Sequence, residues 1–182
     1  MTEFAQLLGD QIPKLRRYAR ALTRNVDAAD DLVQDTLVRA VAKQALWQEG
    51  TNLRAWLFTL MHNQHVNDVR RNVRTGEQVA MDSASALSLT ATTDPTGSRQ
   101  LSELERALDK LPMEQRQVIL LIGLEGMSYE DAAAICSVPI GTVRSRLSRG
   151  RVSLRLLLDM DDTVPAPAIA AGRETQRALH VV

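Results

Sequence analysis

Five arginines, Arg144, Arg146, Arg149, Arg151 and Arg155, lie between Ile140 and Leu158 with no acid among them. Between Val26 and Asp35 the pattern is opposite: four aspartates and no base. The chain as a whole is neutral, with 22 Lys and Arg against 22 Asp and Glu. Attraction to an anionic polymer depends on where charge lies, so these segments predict two surfaces with different partners. Arginine can donate two hydrogen bonds to one guanine edge, or act as a simple cation against a phosphate. Val143 and Leu147 are four residues apart and are expected to face a core. Arg144, Ser145, Ser148 and Arg149 then point the other way, towards base edges. Arg146 and Arg151 fall on the flanks, where phosphate contact is expected, and Gly141 and Thr142 near the helix start let the backbone approach a phosphate closely.

Other chemistries find little support. His62 and His65 are three apart on a predicted helix, but no third ligand stands at suitable spacing for a metal. There is no Ser-His-Asp grammar, phosphate loop or pair of catalytic carboxylates. The lone cysteine, Cys136, forms no intrachain disulfide. No cofactor is expected, and the chain reads as a non-enzyme.

The elements that must position these residues read as helices. With 45% hydrophobic but only 3% aromatic residues, Leu, Val, Ala and Ile must build the cores, which favours helices over sheets. Ile12, Leu15, Ala19 and Leu22 have helical spacing. Asp27 is a candidate cap for a second helix with the stripe Val33, Leu37, Ala40 and Val41. After Gly50-Thr51-Asn52, a third helix carries Leu53, Trp56, Leu57, Leu60 and Met61 on one side, and Trp56 is expected in the core. The stretch 72–98 is rich in Ser, Thr and Ala without a sustained apolar period and reads as a flexible linker. Leu101, Leu104, Leu108 and Leu111 form an amphipathic helix ending at Pro112, which opens the next helix, with Val118, Leu121 and Ile122 inward. Ser128 and Asp131 form a capping-box pattern ahead of a short helix. A turn at Ser137-Val138 then leads to Pro139 and the basic helix, giving a helix-turn-helix layout. Ser137 stands where a turn glycine is common, so strain is expected there. The residues beyond Asp159 are expected to be largely disordered. No apolar run is long enough to span a membrane and no signal-like start appears, so membrane insertion is not expected and the location expected is cytoplasmic.

At this point the chain resembles a family. SYEDAAAICSVPIGTVRSRLSRGR, preceded by LPMEQRQVILL, resembles region four of the extracytoplasmic-function sigma factors of the sigma-70 family. DAADDLVQDTLVRA and NLRAWLFTLMHNQHVNDVRR resemble their region two. The resemblance implies an all-α protein of two small helical domains. Region two would occupy 1–72, a linker 73–98, region four 99–159 and a disordered tail 160–182. It also implies a promoter-specificity subunit that binds core RNA polymerase and directs transcription initiation, in a stress or environmental response, under an anti-sigma factor. Carried over by position, Asp30, Asp31, Val33, Gln34, Asp35 and Leu37 would face the polymerase. Asn63 would contact an unstacked base of the minus-10 element, with His62, Asn67, Arg70 and Arg71 along the single strand. Thr142, Arg144, Ser145, Arg146, Ser148, Arg149 and Arg151 would meet the minus-35 element. The rival reading is a free-standing helix-turn-helix regulator, which would need a dimerisation or ligand module that the N-terminal block does not resemble. A third reading, an enzymatic N-terminal block, lacks a catalytic constellation.

Overall fold

The computed structural model describes residues 3–48, 50–75 and 95–158, which form seven α-helices and no strand. The first helix, α1 (Glu3–Thr23), starts earlier than the stripe from Ile12 predicts, because Phe4 and Leu8 continue the buried face of Leu15, Tyr18, Ala19 and Leu22. Arg24 then takes a left-handed conformation, with φ +62°, that turns the chain back. Helix α2 (Val26–Ala42) is capped by Asn25, whose side chain accepts from the Ala28 N–H at 2.9 Å. The cap is therefore not Asp27, which lies within the first turn, at the positive end of the helix dipole. Val33 and Ala40 are buried in the expected stripe, whereas Val41 is 59% exposed.

Helix α3 (Leu53–Thr75) buries Leu53, Leu57, Phe58 and Met61, and Trp56 packs partly buried against the same core. Helix α4 (Pro95–Asp109) begins ahead of Arg99, so both described ends of the stretch 72–98 are helical. The remainder of the expected linker, 76–94, and the expected tail, 160–182, lie outside the described residues. Of the α4 stripe, Leu104 is 37% exposed while Leu108 packs against the core. Pro112 caps α5 (Met113–Ile119) rather than forming its first residue. A single π turn, Leu120–Leu124, follows and leads into α6 (Tyr129–Cys136) and α7 (Ile140–Leu157).

Helices α1, α2 and α3 pack on one another, as do α5, α6 and α7. The two groups also meet: α3 lies against α6, α1 lies against the π turn, and one apolar cluster runs through both. Among the described residues no helix is long and apolar enough to cross a membrane.

Candidate nucleic-acid interface

The helix-turn-helix is built from α6 and α7. Ser128 caps α6, its hydroxyl accepting from the Asp131 N–H at 2.9 Å. Ala132 and Ala133 are buried in α6, which packs on both α7 and α3, and their small side chains let neighbouring helices approach. The turn is closed by Ser137 in the left-handed region, φ 54° and ψ 44°, while its N–H reaches the Ala133 and Ala134 carbonyls. A non-glycine residue there carries strain of order 1–2 kcal/mol.

Val143 and Leu147 are buried, so α7 turns Arg144, Ser145, Ser148 and Arg149 to solvent. Two of these arginines are held in place before any ligand arrives. The Arg144 guanidinium lies over the Tyr129 ring, 5.9 Å from its centroid. Arg149 donates to the Ser145 carbonyl at 3.3 Å and to its hydroxyl at 3.4 Å. Arg151 is exposed and Thr142 half-buried. Arg146 is half-buried on the expected flank, 3.8 Å from the Glu114 carboxylate, and its charge acts on His62 and Cys136.

On α3, Asn63, Asn67, Arg70 and Arg71 are exposed. Asn63, Asn67 and Arg70 are spaced four and three apart, so they share one helix face. Arg71 pairs with Asp68 at 3.0 Å. Asn67 and Arg70 also line a groove with Val69, Val73 and Arg74, the last lying beyond the motif that carries the resemblance. His62 corrects an expectation: it is only 7% exposed, on the side of α3 turned towards α6 and α7. Burial, then Arg146, lowers its pKa. Burial, then Arg116 and His62, depresses neighbouring His65 to about 4.

On α2, Asp31, Gln34 and Asp35 are exposed and point one way. Asp30 is half-buried and 3.7 Å from Arg16. Val33, 3% exposed, belongs to the core and cannot meet a partner, and Leu37 packs partly buried against that core. Val38 and Val41, 62% and 59% exposed, extend the face of Asp31 and Gln34 by whole helical turns. Both are surface candidates, and Val41 is one that the apolar stripe alone assigns to the interior. Among the described residues no three His, Cys, Asp or Glu side chains converge to hold a metal.

The molecule thus carries an acidic face with exposed valines, a polar helix face with asparagines and an arginine, and a preset pair of arginines on a helix-turn-helix. The sequence and the fold both match known proteins. Residues 8–62 match the family described as the Sigma2 domain of PhyR, and residues 101–154 match Sigma-70, region 4. The ECF RNA polymerase sigma factor EcfG of Rhodopseudomonas palustris is 45% identical over 150 residues, covering 82% of each chain. The sigma factor RpoE of Bartonella quintana, solved with its anti-sigma factor NepR, superposes with a TM-score of 0.74 at 42% identity. That match covers 88% of this chain and 99% of RpoE. CnrH, solved with the cytosolic domain of CnrY, gives 0.62 at 28% identity, covering 87% and 88%. With both regions matched in order, the chain belongs to the ECF RNA polymerase sigma factors.

Proposed function

We propose that the three surfaces divide the work of promoter recognition. Asp31, Gln34 and Asp35, with Val38 and Val41 beside them, dock on core RNA polymerase. Asn63, Asn67, Arg70 and Arg71 take the opened minus-10 strand, where an asparagine supplies both donors and acceptors to an extruded base. Thr142, Arg144, Ser145, Ser148, Arg149 and Arg151 meet the minus-35 duplex. The polymerase performs the chemistry, and this chain contributes specificity. The observation that carries the reading is the preset pair Arg144 and Arg149, directed to solvent opposite buried Val143 and Leu147.

Two units, 1–72 and 99–159, fit this division. The relatives RpoE and CnrH are solved in complexes with NepR and with the domain of CnrY, which supports an anti-sigma partner and a cytoplasmic site of action here. The few outward arginines of α7 give a modest, salt-sensitive attraction to phosphates, so the isolated protein should hold duplex promoter DNA weakly. Gel shift with and without core polymerase tests the reading. A specific complex only with polymerase is expected, whereas tight sequence-specific binding by the protein alone would support a free-standing regulator.

A further inference from the structure

Glu125 follows directly on the π turn, and its carboxylate is fully shielded from solvent. A π turn is an uncommon widening of a helix that re-aims the residues after it. Here it delivers the carboxylate to two arginines of the other helical group. Arg17 of α1 binds both carboxylate oxygens, Nε to Oε1 at 2.9 Å and Nη2 to Oε2 at 3.0 Å. Arg54 of α3 donates to Oε2 at 2.8 Å and also to the Glu125 carbonyl. Arg17 further reaches the Leu124 carbonyl at 3.2 Å. A bidentate, charge-assisted contact of this kind is among the stronger polar interactions available to a protein.

A second clasp lies alongside. Arg116 of α5 donates to the Leu22 carbonyl of α1 at 3.1 Å, and Arg24 lies 3.4 Å from the Asp109 carboxylate. Between the two clasps the surfaces are imperfectly matched in polarity. The Tyr18 hydroxyl, His62 Nδ1, His65 Nε2 and Gln117 Nε2 are buried and find no hydrogen-bond partner among the described residues. Buried polar groups are normally paired. A contact that leaves several unpaired while gathering its ionic bonds on two carboxylates, Glu125 and Asp109, is built to separate.

We propose that Glu125 is a latch that holds the two domains closed against each other, keeping the helix-turn-helix packed beside α3 until Arg17 and Arg54 release it. The proposal rests on the promoter reading above, in which α3 and the helix-turn-helix take two separate elements of one duplex. Separation frees the helix-turn-helix to reach the upstream element while α3 holds the other. Closure lowers the apparent affinity for a promoter complex by the fraction of molecules that are open.

Small-angle scattering of the full chain without polymerase reads the latch directly. Glu125→Gln, and separately Arg17→Gln with Arg54→Gln, should raise the radius of gyration while leaving the helical circular-dichroism signal in place. With core polymerase, half-saturation of promoter complexes should then need less protein, by roughly ten-fold where closure holds roughly nine molecules in ten. An unchanged radius in both variants overturns the proposal. A locked form tests it without depending on how those variants fold. Arg17→Cys with Glu125→Cys, joined by a short bis-maleimide, should lose promoter complexes that wild type forms. Cys136 does not compete, because burial pushes its thiol up to about 11. Locked protein as active as wild type overturns the latch and leaves the sigma assignment standing. Wild type that forms no polymerase-dependent complex defeats the promoter reading instead, whatever the scattering shows.

Discussion

Arg144 and Arg149 differ from Arg151 in how the structure holds them, and this difference sets how each should fail. Arg144 is carried over the Tyr129 ring and Arg149 is tied to Ser145, so both lose less freedom on meeting a base than an untethered arginine would. A bidentate arginine–guanine pair discriminates by about 1–3 kcal/mol. Arg144→Ala or Arg149→Ala should therefore relax preference at particular minus-35 bases, read by transcription from a promoter library. Arg151→Ala should weaken all promoters alike and flatten the salt dependence of binding by about one unit of slope. Identical, sequence-blind losses from Arg144→Ala and Arg151→Ala would remove the base-reading role. The outward placement of these residues was legible from Val143 and Leu147 alone, because a 3.6-residue period fixes which positions oppose a buried pair. Arg146 shows where that reading stops: the same period places it on a flank, and only the neighbouring α5 shows that Glu114 lies beside it there.

The recognition unit carries two backbone features that act in opposite directions. Ser137 holds a left-handed conformation that glycine adopts without steric penalty, so Ser137→Gly should stabilise the protein by about 0.5–1 kcal/mol after the added freedom of the unfolded chain is subtracted. Gly150 is buried where α7 crosses α5, and a Cβ there would lie 2.6 Å from Ile119 Cδ1 and 3.3 Å from Gln115 Cβ. Gly150→Ala gains up to about 1 kcal/mol of helix propensity, which the cost of displacing Ile119 and Gln115 outweighs, so a net loss of about 1 kcal/mol is expected. Urea midpoints of the two variants should move to opposite sides of wild type. On α2, Asp31→Lys with Asp35→Lys should abolish association with core polymerase at a near-normal helical signal, since both side chains are exposed. Unimpaired assembly of that double variant would remove the acidic face from the polymerase contact. Helices α2, α3 and α7 could be read from spacing because each has a periodic apolar face. The Asn25 cap and the π turn could not. Asn25 and Asp27 are both good caps, and the choice depends on Arg24 turning the chain one residue earlier. LLIGL has the same apolar character whether its turn is α or π, and what distinguishes the two is where Glu125 must arrive.

Closure of the molecule was out of reach of any local pattern, because Glu125 is 71 residues from Arg54 and 108 from Arg17. A buried carboxylate and its partners leave no periodic trace at such separations. The same closure makes the protein sensitive to acid through His65. That side chain is buried on α3, with Arg116 of α5 near it and His62 on its own helix, and its pKa falls from 6.5 to about 4. The depressed value means the native state prefers the neutral imidazole, while the unfolded chain takes up a proton near 6.5. Between these values the unfolded state binds more protons, so stability rises with pH and is lost progressively as pH falls below about 6.5. Each pH unit within that window corresponds to about 1.4 kcal/mol, so lowering the pH from 7 to 5 should remove roughly 2 kcal/mol through His65. Carboxylates titrate in part of the same range, and His65→Leu separates the two contributions by keeping an apolar side chain in the buried position. Urea unfolding at pH 5 and pH 7 should show a smaller pH-dependent loss for His65→Leu than for wild type. Equal losses in the two proteins would mean that His65 is protonated without disturbing the closed arrangement.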